Sequence, residues 1–170
     1  MRSMRRGILT IVSVLVVGLA GCKPNGGAGA GPCGPVEHPQ LQSGGHLLGD
    51  REPPVPYSST PPTSGWHASG KPLFGSATTA QPLSEPGQVS VLEAGGVVIS
   101  YRDLAPAELA TLESVERDFP DQVALTPYAK LAPHELALTA WGTLQRCDGV
   151  DAGIVRGFIE AHAGDTSHAH

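Results

Sequence analysis

The chain is poor in aromatic rings and in positive charge. Only 5 % of its 170 residues are aromatic, and 11 Lys and Arg stand against 16 Asp and Glu, a formal charge of −5. A basic, ring-studded groove for nucleic acid has no raw material here, so nucleic-acid binding is excluded as a function. Cysteine is equally scarce, with three in all, and no two are spaced Cys-x-x-Cys, so neither a thioredoxin-type redox pair nor a cysteine-rich zinc finger can be built. The longest uncharged apolar stretch, Gly7 to Gly21, has 15 residues, short of the roughly 20 that a membrane-spanning helix needs. What is abundant is backbone punctuation. Twenty-two Gly and 16 Pro work against long regular elements and limit the ordered core to one small domain.

The short apolar stretch has a logic of its own. Arg2, Arg5 and Arg6 precede it and small residues close it, which is the layout of a secretory leader. Its end, Leu19-Ala20-Gly21-Cys22, resembles the bacterial lipobox, in which diacylglycerol is attached to the cysteine sulfur and the leader is cut just before it. Residues 1–21 then form a lipoprotein signal peptide, and an acylated Cys22 holds the chain on the outer side of a membrane in the cell envelope. An ordinary leader cut elsewhere and a retained anchor are the two competing readings. Taking the three leader arginines from the eleven Lys and Arg leaves eight basic against sixteen acidic side chains. The bilayer contact must therefore come from the lipid and not from a polybasic patch.

With Cys22 given to lipid, Cys33 and Cys147 remain, in a compartment where thiols oxidise. A disulfide between them closes a loop of more than 100 residues, which chain entropy values at about 4–5 kcal/mol; two unpaired thiols are the alternative. Residues 22–34 read as a Gly-rich tether. The Gly27/Gly29 spacing inside it lacks the flanking strand and helix of a dinucleotide fingerprint.

Residues 35–165 read as a single domain and 166–170 as a His-containing tail. From Pro35 to Pro86 the prolines favour an extended wrap over sheet. Val89–Leu92 and Val97–Tyr101 read as a hairpin turning at Gly95-Gly96. Pro106 opens an amphipathic helix of about 13 residues, with Leu109, Leu112, Val115 and Phe119 on one side and Pro120 at its end. Val123–Thr126 and the apolar Leu136–Trp141 read as strands, the latter long enough to begin a helix instead. Asp151 caps a final helix over 152–162. The β-β-α-β-β-α order defines an α+β fold: a small mixed sheet, helices on one face, and a proline-rich N-terminal wrap.

Three segments carry a family resemblance: Tyr57-Ser58-Ser59-Thr60-Pro61-Pro62-Thr63-Ser64-Gly65-Trp66-His67, then Leu92-Glu93-Ala94-Gly95-Gly96-Val97-Val98-Ile99, then Ala140-Trp141-Gly142. Their content and order resemble a bacterial family known as domain of unknown function 3105, over roughly residues 44 to 165. The resemblance implies export or membrane anchoring and no particular activity. It also implies a His-x-x-Glu-His-Gly run where this chain has Ser90-Val91-Leu92-Glu93-Ala94-Gly95, so two histidines are replaced by Ser90 and Ala94. With the histidine matching His67, those residues would form a metal-binding set; here His67 and Glu93 survive.

Two functional readings follow. In the first, the domain is a non-catalytic binding or structural module, with His67 bonded to a backbone carbonyl or to Glu93. In the second it binds copper or zinc through His67 and Glu93, completed by His46 or His38, because two ligands fall short of the three that an open zinc site takes. Ligand bonds of about 2.0–2.2 Å mean that donors more than about 6 Å apart cannot share one ion. Ser64 and Ser69 stand in no nucleophile elbow, so hydrolase chemistry has no constellation. His162, His168 and His170 crowd the C-terminus, where a His-x-His tail holds Cu(II), Ni(II) or Zn(II) only weakly.

Overall fold

The computed structural model describes residues 31–49 and 51–166. The leader, Cys22, most of the tether and residues 167–170 lie outside the described residues. Among those described, no helix is long and apolar enough to cross a membrane.

The chain enters the fold through β1 (Cys33–Glu37), forms two short strands, β2 (His46–Leu47) and β3 (His67–Ala68), and adds β4 (Gly75–Ser76). The regular half follows as α1 (Glu85–Glu93), β5 (Val97–Tyr101), α2 (Pro106–Asp118), β6 (Val123–Pro127), β7 (Leu136–Ala140), β8 (Thr143–Cys147) and α3 (Ala152–His162). Six strands make one mixed sheet in the order β1-β8-β7-β5-β6-β4, while β2 and β3 form a separate parallel ribbon. The α+β class and the mixed sheet are those expected.

Local chemistry explains the helices. Pro106 starts α2, and Glu108 reaches back to the Ala105 N–H at 2.9 Å. Asp151 Oδ1 accepts from the amides of Gly153 and Ile154 at 2.8 and 3.0 Å, which starts α3. The segment 89–92, expected as a strand, is instead the core of α1. Ser84 Oγ accepts from the Gly87 amide and Pro86 occupies the first turn, a start signal that outweighs the strand preference of Val89 and Val91. Gly95-Gly96 is correspondingly no hairpin turn. Gly95 sits at φ +79°, its amide bonds Leu92 O and the Gly96 amide bonds Val91 O, so the pair closes the helix in a Schellman motif. Over this span the order is therefore α-β-α-β-β-β-α, with β8 as an additional strand.

The sheet has two unlike faces. Val97, Ile99, Val123, Leu125, Leu136 and Leu138 point to one side and pack against Leu112 and Val115 of α2 and Val155, Phe158 and Ile159 of α3. The two expected helices thus share a face. The helix that was not expected, α1, covers the other, where Val91 and Leu92 meet Val98 and Ala124. This second face also carries buried Ser100, Thr126 and Thr139, so it is small and polar as well as apolar.

The proline-rich segment wraps as expected, with one correction. Pro35 lies inside a strand, β1, which starts at Cys33 and tolerates proline because it is the sheet's edge; its pairing with β8 slips between Cys33 and Val36. Cys33 and Cys147 form a disulfide that ties this edge to the core.

Candidate metal centre

The His67 imidazole is placed by the turn before it. Gly65 stands at φ +112°, a backbone that favours glycine, and its carbonyl lies 3.0 Å from His67 Nδ1. A carbonyl only accepts, so Nδ1 carries a proton and the ring turns its Nε2 toward Glu93. Tyr57 buttresses the same turn by donating its hydroxyl to Trp66 O. Burial, and then the charge of Glu85, push the Tyr57 phenol well above its ordinary pKa, so it stays a donor at any physiological pH.

Around this ring the fold assembles the other two members. The parallel pairing of β2 with β3 sets His46 directly opposite His67, with ring centroids 4.6 Å apart and planes at 74°. The ribbon is held by His67 N–H to Gly45 O and Ser69 N–H to Leu47 O, each 3.2 Å. It rests on α1, where the Ser90 hydroxyl donates to Ala68 O at 2.6 Å. Glu93 ends that helix, and its Oε2 lies 2.8 Å from His67 Nε2. One ligand atom from each of His46, His67 and Glu93 falls within 4.8 Å of the others, inside the limit for a shared ion.

The electrostatics of this cluster are unusual. His67 is 2 % exposed and its Nε2 has no hydrogen-bond partner, nor does the buried Oε1 of Glu93. Oε2 of Glu93 approaches Nε2 to 2.8 Å, an ion pair when the imidazole is protonated, without making a hydrogen bond. Glu93 also places its carboxylate at the negative end of α1, whose last turn holds no basic residue. Buried, unbonded polar atoms are costly, as is an anion at a helix C-terminus. A cation between the three residues would relieve both. The Nδ1 bond to a backbone carbonyl is the outer support that metal-bound histidines ordinarily have.

The candidates separate cleanly. His46, and not His38, joins His67 and Glu93; His38 lines a surface groove with Glu37 and Arg146. His162 stacks near Phe158 on α3, 4.5 Å between centroids. Ser90, at a position where the family resemblance implies histidine, is a bracket for β3, and Ala94 caps α1. Ser64 Oγ accepts the Gln42 amide and so fastens the wrap. A cleft of about 800 Å³ is lined by Leu47 and Ala68 and by none of the three cluster residues. In each strand of the ribbon the next residue points the opposite way, so the cleft and the cluster occupy its two sides.

The fold and this cluster define a small disulfide-linked α+β domain with a two-histidine, one-carboxylate centre. The chain belongs to the family described as Protein of unknown function (DUF3105), which it matches over residues 50–170. His67 and Glu93 lie inside that span and His46 just before it. No curated protein and no solved structure matches the chain.

Proposed function

We propose that this protein is a cell-envelope lipoprotein, anchored in the bilayer through acylated Cys22, whose folded head is a non-catalytic metal-binding module. The leader, the apolar run and the Leu19-Ala20-Gly21-Cys22 ending support the anchor. The metal reading rests on one observation: His67 Nε2 and Glu93 Oε1 are buried without hydrogen-bond partners, and His46 shares their space within 4.8 Å. Two imidazoles, borderline donors that suit Zn(II) or Cu(II), stand with one hard carboxylate oxygen. Cu(I) prefers sulfur, and Cys33 and Cys147 are committed to each other. Among the described residues no activated nucleophile stands beside the cluster, since the Ser64 and Ser90 hydroxyls are engaged with backbone.

The test is elemental analysis of the purified, tag-free chain after Zn(II) or Cu(II) loading and dialysis. One ion per chain, lost in His67→Ala and in Glu93→Gln while the far-UV circular dichroism is kept, is the expected result. Absence of stoichiometric metal, with His67→Ala merely lowering the melting temperature, would leave His67 as a brace for its loop and overturn the metal reading. The anchor has a separate test: Cys22→Ala should abolish fatty-acid labelling and leave an unprocessed precursor, and persistent labelling would refute it.

A further inference from the structure

Resting on the metal reading, we infer that the ion is cargo, handed to an acceptor with nitrogen or oxygen donors by exchange through His46. The three ligands are held very unequally. His67 is buried and locked at Nδ1 by Gly65 O, and the Glu93 side chain is 13 % exposed at the end of a nine-residue helix. His46 is exposed, sits on a two-residue strand, and neither of its ring nitrogens has a hydrogen-bond partner among the described residues. A resident site normally closes with a fourth ligand and ties down the far nitrogen of each histidine. Here His67 is tied down in that way and His46 is not.

Three protein donors leave a coordination position open, and the exposed ligand places it toward solvent. An incoming donor binds there, the bond from the ion to the His46 nitrogen breaks, and His67 and Glu93 hold the ion until further acceptor donors replace them. The exchange is a ligand substitution: no electron moves, and each bond broken is matched by one formed.

The position of the cluster suits such a handover. Register pairs Leu136 with Cys147 at one end of the β7–β8 hairpin and Ala140 with Thr143 at the other. The disulfide, and with it the entry of the tether at Cys33, is at the first end. Glu93 leads through Gly95-Gly96 into Val97, and Val98 pairs with Thr139, at the second. At about 3.3 Å per residue the ends of a five-residue strand are roughly 13 Å apart, so the centre lies at the end of the sheet opposite the disulfide.

The experiment is stopped-flow transfer of Zn(II) from the loaded full-length chain, in detergent, to a chromophoric nitrogen–oxygen chelator at increasing concentration. The expected observed rate rises in proportion to chelator. His46→Ala should bind Zn(II) at least tenfold more weakly and, loaded at saturating Zn(II), transfer it about tenfold or more faster, whereas His67→Ala should not load. A transfer rate independent of chelator concentration, or transfer from saturated His46→Ala no faster than from the unaltered chain, would overturn the inference and make the ion a resident. Failure of the unaltered chain to load Zn(II) or Cu(II) at all would instead refute the metal reading beneath it.

Discussion

Removing the disulfide should cost this fold a large part of its stability while sparing the metal centre. Cys33 and Cys147 are 114 residues apart. The chain-entropy model assigns a loop of that length about 5 kcal/mol at 25 °C, comparable with the whole stability of many small domains, about 5–15 kcal/mol. The structure adds where the loss would fall. Gly34, Pro35, Val36 and Glu37 of β1 are all exposed, so this edge buries little of its own and depends on the bridge, whereas Cys147 is 1 % exposed in the main core. Comparing the oxidised chain with Cys33→Ala/Cys147→Ala by urea denaturation should show a loss of about 3–5 kcal/mol. At about 2–4 °C per kcal/mol the melting temperature should fall by roughly 6–20 °C. The urea dependence should steepen too, because the uncrosslinked unfolded chain exposes more surface. Zn(II) stoichiometry should survive, since the centre is at the opposite pole. Denaturation curves that coincide within about 0.5 kcal/mol, or native thiols that alkylate without reductant, would refute the reasoning.

Other perturbations test other joints. A Cβ at Gly44 would lie 2.0 Å from the Gly65 backbone carbon, so Gly44→Ala must push the strand carrying His46 off its neighbour; metal affinity should fall about tenfold or more with no ligand changed, measured by competition titration. Burial, then the nearby positive charge of His38, hold the His162 pKa below its ordinary value. The unfolded chain therefore takes up that proton first, and this contribution to stability is complete above about pH 6.5 and lost as the pH falls through that value. The drop in melting temperature between pH 7.5 and pH 5 should be smaller in His162→Gln, and an unchanged drop would contradict it. Asp151→Ala leaves two amides of α3 without their acceptor and should cost about 1 kcal/mol by urea denaturation.

The parts of this fold that were legible in the sequence are those where a local signal and the burial pattern agree. Helices α2 and α3 fall on 106–118 and 152–162 because Pro106 and Asp151 mark their starts and the apolar spacing continues the same message. Strand β5 and strand β6 are continuous β-branched or apolar runs, buried on both sides by α1 on one face and α2 and α3 on the other. The segment 89–92 misled because its signals conflict. Two valines and a following Gly-Gly suggest a hairpin, while Ser84, Glu85 and Pro86, lying five residues or so upstream, specify a helix that those valines enter only because they are buried. The cap should have been read before the periodicity.

The centre was only half legible, for a reason of topology. His67 and Glu93 stand out by their turn and their family landmarks, and the sequence points to His46 as the third ligand while leaving His38 as its rival. What decides between them is a parallel pairing of two two-residue strands, formed because Gly44 has no side chain to keep its backbone off that of Gly65 and Trp66. That contact has no periodicity to announce it. It forms over the sheet face that carries Ala124, Ala137, Ser100, Thr126 and Thr139, residues small enough to let α1 and the wrap settle close. The opposite face, filled by large aliphatic side chains under α2 and α3, supplies the cohesion of the domain. The division explains how a Gly- and Pro-rich chain can hold a buried imidazole against a carboxylate without unfolding. One layer of the molecule is packed for stability, and the other carries a locally unfavourable arrangement that binding an ion would make favourable.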